Sequence, residues 1–159
     1  MSTKTPATQS LTKAGISFTT REYDYVAGQS NIAVHAAEAI GADPDMVLKT
    51  LMVEVDGKPA CCVIPSAGSL SMKKVAQAFG GKSAQMMDTA KAERLTGYHK
   101  GGISPFGQRA RAPVAFEATA MAQEQVIING GKRGMMVMLA PADAVQAAQG
   151  IAAPLIAEG

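Results

Sequence analysis

Two neighbouring apolar segments joined by Asp56-Gly57 constrain the fold of this chain more than any other feature. The segments Leu48 to Val55 and Pro59 to Ile64 are rich in β-branched and other apolar residues, which is typical of strands. Asp-Gly favours a two-residue hairpin turn, because the turn requires backbone conformations with positive φ. The sequence therefore predicts an antiparallel β-hairpin between residues 48 and 64.

The remaining helix and strand patterns are interspersed without a regular βα alternation. Helical patterns cover Thr5 to Gly15, Ser30 to Gly41, Ser71 to Phe79, Asp88 to Leu95 and Pro141 to Gly150, with a short helical turn at Asp43 to Asp45. Strand patterns cover Ile16 to Tyr25, Val114 to Phe116, Gln125 to Ile128 and Met135 to Leu139. The tail, residues 151 to 159, is expected to dock weakly. This arrangement predicts an α+β fold, with a mixed, mostly antiparallel sheet curled into a partial barrel and helices outside it.

Length and composition indicate one globular domain covering residues 1–159. Hydrophobic residues make up 47% of the chain and charged residues 18%, so a real core is expected. The net charge of +2 is unevenly distributed, because the segment from Lys91 to Arg133 has seven basic and three acidic residues, and the rest of the chain is net acidic. The excess of basic residues favours a polyanionic partner, although solvated surface charges explain it equally well.

The sequence offers little for a metal, a membrane or a protein nucleophile. We find no signal peptide and no apolar run of about 18 residues, and we expect a soluble cytoplasmic protein without a membrane partner. Cys61 and Cys62 are adjacent and should face opposite sides of a strand, and no histidine accompanies them in a nucleophile pattern. With only two histidines, His35 expected to be structural and His99 expected at a surface, we predict neither a metal nor a cofactor.

Two glycine-rich segments are candidates for ligand-binding loops. The first runs from Gly97 to Gln108, and its residues Gly101 to Ser104 can supply backbone N–H groups to a carbonyl or phosphate oxygen. The second is Gly130 to Gly134, which lacks the spacing of a P-loop. The alternatives are a plain surface loop for the first segment and a hairpin turn with two solvated charges for the second.

Lys49 is the most informative single residue. Strand alternation places it on one face with Leu51, Val53 and Val55, so that face is apolar except for its first member. A lysine there can extend past the strand end into water. It can instead point into a pocket, where burial lowers its pKa and leaves a strong donor for an oxyanion, a carbonyl or a phosphate. We interpret Lys49-Thr50 and the two glycine segments as parts of one site.

The order and content of these motifs resemble the YbaK/EbsC family, the stand-alone relatives of the editing domain of bacterial prolyl-tRNA synthetases. The resemblance covers nearly the whole chain, from the first helix to Leu139, and rests on Lys49-Thr50-Leu51, Gly97-Tyr98, Gly101-Gly102-Ile103-Ser104-Pro105-Phe106-Gly107 and Gly130-Gly131-Lys132-Arg133-Gly134. It implies a mixed sheet closing toward a barrel with flanking helices, in agreement with the interpretation above.

The resemblance also implies an activity and its residues. Members of the family remove cysteine from Cys-tRNA(Pro) in trans, and the thiol of the substrate is thought to attack its own ester, so that the enzyme needs no nucleophile. By this resemblance the catalytic residues are Lys49, Gly101, Gly102 and Ser104. The residues expected to bind substrate are Tyr23, Thr50, Ile103, Pro105, Gly131, Lys132 and Arg133. Some close relatives have Asp where this chain has Met136.

The partners implied are the acceptor end of tRNA(Pro) carrying Cys and, in a transient complex, prolyl-tRNA synthetase. The basic residues between 91 and 133 would contact acceptor-stem phosphates without reading sequence. Three alternatives remain open from the sequence: a deacylase for Ala- or Ser-tRNA, a non-catalytic module that binds tRNA or the synthetase, and a protein that binds a small nucleotide.

Overall fold

The computed structural model describes residues 4–24, 37, 38 and 40–158, and the elements below lie within them. The helices are α1 (Pro6–Lys13), α2 (Met72–Ala78), α3 (Thr89–Thr96) and α4 (Pro141–Ala148), with a 3-10 helix at Ala118–Ala122. The strands are β1 (Thr19–Glu22), β2 (Leu48–Val55), β3 (Lys58–Pro65), β4 (Ala84–Met86), β5 (Val114–Glu117), β6 (Val126–Lys132), β7 (Met135–Leu139) and β8 (Ile151–Ala153). Most of the helix predicted from Ser30 to Gly41 lies outside the described residues.

The β2–β3 hairpin is confirmed and forms the centre of the larger sheet. The two strands pair antiparallel from Leu48 opposite Pro65 to Val55 opposite Lys58. Both turn residues, Asp56 and Gly57, have positive φ, as the sequence predicted. Because the pairing extends over the full length of both strands, the hairpin holds β2 in a fixed register.

Two sheets meet next to this hairpin. One has the strand order β4-β2-β3-β5-β8 and the other β1-β7-β6. A parallel bridge between Val47 and Ile127 connects them, and the Ile127 N–H donates to the Met46 carbonyl at 2.8 Å. Four strand pairings are antiparallel, while β3–β5 and β5–β8 are parallel. The predicted mixed, mostly antiparallel sheet with a partial curl is confirmed.

The curled sheet buries side chains on both of its faces. The largest cluster, on the inner face, includes Phe106, Phe116 and Cys61. A second cluster on the opposite face contains Cys62, Val75 from α2 and other apolar residues. The two adjacent cysteines therefore face opposite sides of β3, as expected from strand alternation. No helix in the described part of the chain is long and apolar enough to cross a membrane.

Polar residues cap the first turns of three helices, and a glycine ends α3. Thr5 begins α1 with a capping box, and Ser71 and Asp88 accept backbone N–H groups at the first turns of α2 and α3. Gly97 ends α3 in the left-handed conformation with φ of 82°. The glycine loop that follows therefore begins at a defined position.

The expectation of a weakly docked tail is wrong. Residues Ile151–Ala153 form β8, which pairs parallel with β5, and Leu155 is fully buried. The cause is Glu117, a buried carboxylate that accepts the N–H groups of Leu155 at 2.7 Å and Ile156 at 3.2 Å, as well as that of Thr119 at 2.8 Å. Burial opposes ionisation of Glu117, but these backbone donors outweigh it, and the pKa of Glu117 is lowered.

We expect Glu117→Gln to lower the free energy of unfolding by about 2 kcal/mol, because an amide has one oxygen for these donors and an NH₂ group that faces them. Chemical denaturation at pH 7 measures the loss, and the matched control is Glu158→Gln, since that carboxylate is 92% exposed. Because the folded-state pKa of Glu117 is lowered, its contribution is present above the ordinary value of 4.5 and is lost as the pH falls below it. A difference between wild type and Glu117→Gln that stays constant into strong acid would contradict this assignment.

Two other local predictions differ from the structure, and one strand was not predicted. The segment from Asn129 to Gly134 is not one long turn, because β6 continues to Lys132 through a register shift and only Arg133-Gly134 reverse the chain. Gly131, with φ of 100°, permits that irregularity. Strand β1 is shorter than the predicted Ile16 to Tyr25, and β4 was not predicted at all.

Candidate functional site

The candidate site lies at an opening between the two sheets. Strand β4 pairs with β2 only from Val53 to Val55, and the Met87 N–H donates to the Met52 carbonyl at 3.1 Å. On the same edge, β6 joins the chain at Val47. Residues 48–51 of β2 consequently have no strand partner on this side among the described residues.

A pocket of about 530 Å³ occupies this opening. Its walls come from four parts of the chain. These are residues 48–52 of β2, the end of β4 with residues that follow it, part of the glycine loop, and three residues in or next to the smaller sheet. Besides the β2 residues, the lining comprises Met86, Met87, Thr89, Ala92, Lys100, Gly101, Ile103, Tyr23, Asn129 and Met136. The lining is mostly apolar and contains no aspartate or glutamate among the described residues. It suits a small, partly apolar ligand with few polar groups.

Lys49 lines this pocket and is half-buried. Its strand neighbour on the same face, Leu51, packs against the cluster around Val53 and Cys62, so alternation along β2 is as the sequence predicted. Burial lowers the pKa of Lys49 below its ordinary value. No described residue forms a hydrogen bond or ion pair with the ammonium group, which leaves it able to donate to a ligand.

The Thr50 hydroxyl also lacks a partner. Its oxygen is fully buried, and no hydrogen-bond partner for it lies among the described residues. Thr50 lines the same pocket as Lys49. A buried hydroxyl without a partner costs free energy in the folded protein.

We expect Thr50→Val to raise the free energy of unfolding by up to about 1 kcal/mol, because valine keeps the side-chain shape and removes the unsatisfied hydroxyl. Thermal unfolding without ligand measures the change. Thr50→Ser, which keeps a hydroxyl at the same position, is the matched control and should show no increase. A lower melting temperature for Thr50→Val would mean that the hydroxyl already has a partner in the free protein.

The glycine loop is attached to the β6–β7 hairpin by side-chain hydrogen bonds. The Asn129 side-chain amide donates to the Gly101 carbonyl at 3.1 Å, and its oxygen accepts the Gly131 N–H at 2.7 Å. The Arg133 guanidinium donates to the Lys100 carbonyl at 2.7 Å. Gly101 and Ile103, which line the pocket, are therefore held in place by the second glycine segment.

Close backbone approach explains two of the glycines. A Cβ atom at Gly102 would lie 2.9 Å from the Arg133 nitrogen and 3.0 Å from backbone atoms of Lys132. At Gly131 a Cβ atom would lie 3.0 Å from the Tyr98 ring. The Gly102 N–H donates to the His99 carbonyl at 2.8 Å, so it closes a turn of the loop. These two glycines shape the site rather than line it.

The structure divides the residues predicted for this site into two groups. Tyr23, Lys49, Thr50, Gly101 and Ile103 line the pocket. The others do not: Gly102, Ser104, Pro105, Gly131, Lys132 and Arg133.

Ser104 and Pro105 turn away from the pocket. The Ser104 side chain is fully buried, where its oxygen accepts the Phe106 N–H at 3.3 Å. The Ser104 carbonyl accepts from the Gln108 amide at 3.0 Å. Pro105 lines a second, smaller cavity of about 270 Å³ together with Gln108 and Arg111. The loop thus forms a wall, with the pocket on one side and core contacts on the other.

Sequence reasoning missed several pocket residues. Met52 could have been found, since alternation places it on the face of Thr50, but Met86 and Met87 belong to the unpredicted β4 and its end. Asn129 was assigned to a turn, although its amide joins the two glycine segments. Met136, where some relatives have Asp, lies in the wall and is 3% exposed.

Among the described residues, the two cysteines and His99 do not line the pocket. Burial raises the pKa of the Cys61 thiol well above its ordinary value and raises the pKa of the Cys62 thiol to about 12, so neither is a thiolate at neutral pH. His99 is 86% exposed and lies 3.7 Å from the Glu93 carboxylate, while His35 lies outside the described residues. Within the described ranges no group of three or more His, Cys, Asp or Glu residues could hold a metal ion.

Comparison with known proteins gives a consistent family. The family model of the aminoacyl-tRNA editing domain matches residues 29–147. A candidate Cys-tRNA(Pro)/Cys-tRNA(Cys) deacylase, EbsC of Enterococcus faecalis, is 35% identical over 124 residues, which are 76% of this chain and 75% of that protein.

Solved structures share the fold at low identity. The crystal structure of a candidate trans-editing enzyme for prolyl-tRNA synthetase has a TM-score of 0.84 and 19% identity, and the match covers 96% of both chains. The hypothetical protein APE2540 has a TM-score of 0.83 and 18% identity, with 96% of this chain and all of that one covered. At these identities the structures show the shared fold alone.

Proposed function

Because the chain belongs to the aminoacyl-tRNA editing domain family, we propose that it is a trans-acting deacylase that releases cysteine from mischarged Cys-tRNA(Pro). Residues 1–159 would act as a single editing domain in the cytoplasm, where tRNA is charged. The name of the Enterococcus faecalis relative supports the substrate. The observation that carries the proposal is Lys49, a half-buried ammonium without a described partner, in a small apolar pocket beside the glycine loop.

The pocket is suited to positioning an ester rather than to attacking it. None of its described lining residues is a cysteine, a histidine, a serine or a carboxylate. In the proposed reaction the substrate thiol attacks its own ester carbonyl. A C–S bond forms, the C–O bond to the ribose breaks, and the thiol proton ends on the ribose oxygen, which leaves a cyclic thiolactone. The protein then contributes geometry and charge stabilisation.

Each part of the site has a role in this scheme. Lys49 would bind the terminal ribose or phosphate region and stabilise negative charge that develops on the ester oxygen. Gly101 and Ile103 would present backbone groups to the aminoacyl part, while Gly102 and Ser104 keep the loop in shape. Tyr23 and the methionines would limit the size of the side chain that enters, as in a second sieve.

The tRNA and the synthetase are the proposed partners. Lys100 and Arg133 are exposed next to the pocket, and Arg109 and Arg111 are exposed on the same loop. Lysine and arginine side chains at such positions contact phosphates without sequence readout. Selection of tRNA(Pro) would then come from a transient complex with prolyl-tRNA synthetase.

The direct test is deacylation of Cys-, Ala- and Ser-tRNA(Pro), each assayed alone and with prolyl-tRNA synthetase. We expect rapid loss of Cys and slow loss of Ala and Ser. Release of Ala or Ser in preference to Cys would assign the pocket to a different amino acid. Release of none of the three, with or without the synthetase, would contradict the enzymatic proposal and favour a binding module.

A further inference from the structure

The wall of the pocket formed by β2 presents main-chain groups as well as side chains. Met52 and Met46 direct their carbonyls to the outer edge of this chain segment, where they accept the N–H groups of Met87 at 3.1 Å and Ile127 at 2.8 Å. Val47, by contrast, directs its carbonyl to the opposite side, where it accepts the Ser66 N–H at 2.8 Å. Because these directions alternate along a strand, Leu48 and Thr50 direct their carbonyls to the outer edge as well, at the opening.

The Leu48 and Thr50 carbonyls lie along a part of this edge that has no paired strand among the described residues. The pairing of β4 with β2 stops at Val53, and the bridge from β6 reaches only Val47. The Leu48 and Thr50 carbonyls therefore form a short open sheet edge inside a pocket. Buried backbone polar groups are nearly always paired, so a ligand is expected to complete this edge.

The pocket has few other hydrogen-bond acceptors. Its described lining contains no carboxylate, and Lys49 and Lys100 can only donate. The Asn129 oxygen already accepts the Gly131 N–H, and the Gly101 carbonyl already accepts from Asn129. Apart from uncharged hydroxyl groups in the lining, such as that of Thr89, a cationic ligand group finds its acceptors at the edge of β2.

We propose that the open edge of β2 binds the α-ammonium group of the aminoacyl ester through the Leu48 and Thr50 carbonyls. The inference rests on the proposed function and adds a requirement to it, namely a free α-amine. The pocket offers both donors and acceptors, and an aminoacyl ester carries a carbonyl that accepts and an ammonium that donates. Esters whose nitrogen is acylated, as in peptidyl-tRNA, would lack the positive charge and add bulk at this edge.

The test compares three esters on the same tRNA(Pro): cysteinyl, 2-hydroxy-3-mercaptopropionyl and 3-mercaptopropionyl. All three keep the thiol, and the α-substituent changes from ammonium to hydroxyl to hydrogen. Each enzymatic rate is divided by the uncatalysed rate of the same ester, because the α-substituent alters intrinsic reactivity. We expect the normalised rate to fall about 10- to 100-fold from cysteinyl to 3-mercaptopropionyl, with the hydroxy ester between them.

Equal normalised rates for the three esters would overturn the inference and leave the deacylase intact. If the cysteinyl ester is not released either, the proposed function fails and the inference fails with it, so the two failures are distinguishable. Thr50→Val distinguishes binding of the amine by the main-chain carbonyls from binding by the Thr50 side chain, because it removes the hydroxyl and keeps both carbonyls. The preference for the cysteinyl ester should persist in this variant, and its disappearance would assign the amine to the hydroxyl and overturn the role of the edge.

Discussion

Lys49→Ala is expected to reduce the single-turnover rate of Cys-tRNA(Pro) deacylation by about 10²-fold or more. The physical reason is the loss of a positioned cation in an apolar pocket, where one charge-stabilising donor contributes about 3 kcal/mol to the transition state. Lys49 has no described partner to stabilise in the free protein, so the fold should not depend on it. Circular dichroism and rates under the same conditions measure both effects.

Two matched variants separate charge from shape at this position. Lys49→Met keeps an unbranched side chain of similar length and removes the charge, and Lys49→Arg keeps the charge with a different geometry. The folded-state pKa of Lys49 is lowered, so its charged form is penalised in the folded protein at neutral pH. Lys49→Met should therefore unfold at a higher temperature than wild type while losing activity. Full activity in Lys49→Met would remove the ammonium from the mechanism.

Gly102→Ala is expected to lower the free energy of unfolding by about 1–3 kcal/mol and to lower activity more than its stability loss explains. The added Cβ would lie 2.9 Å from the Arg133 nitrogen, a main-chain atom that cannot rotate away. The loop must then separate from the β6–β7 hairpin, which displaces Gly101 and Ile103 in the pocket wall. Misplacement of about 1 Å at a reacting group can cost about 10²-fold in rate.

Gly80→Ala is the matched control for that variant. Gly80 has φ of 72° with no atom within 4 Å of its added Cβ, so the substitution strains the backbone without a steric contact. It lies after α2 and does not line the pocket. We expect lower stability with activity retained. Equal activity losses in Gly80→Ala and Gly102→Ala would show that destabilisation alone is responsible.

The sequence predicted those parts of the fold whose signals are local. The Asp56-Gly57 turn, the helix starts at Thr5, Ser71 and Asp88, and the alternation that places Lys49 each depend on a few neighbouring residues. Strand β8 and the residues after it carry no such signal, because β8 depends on pairing with β5, and Leu155 and Ile156 donate to the Glu117 carboxylate, which is distant in sequence. The composition of this tail is the same as that of a loop, and only its contacts with β5 and Glu117 show that it is ordered.

The pocket was only partly predictable for the same reason. Its opening arises from the register of three strands, since β4 stops at Val53 and β6 forms its bridge at Val47, just before β2 begins. The sequence analysis also treated Gly101 to Ser104 as one ligand-binding segment because these residues are adjacent. Gly101 lines the pocket with a positive φ of 85°, but Ser104, three residues later, is fully buried and does not line it.

The most direct test of cleavage by the substrate thiol compares Cys-tRNA(Pro) with 2-aminobutyryl-tRNA(Pro) in single-turnover deacylation. The two aminoacyl groups have nearly the same size and both have an α-amine, but a methyl group replaces the thiol in the second. If the substrate thiol cleaves the ester, cysteine is released rapidly and 2-aminobutyrate is released at a rate near the uncatalysed one. Comparable release of both would show that water attacks the ester in a pocket that selects only by size, and would contradict cleavage by the substrate thiol.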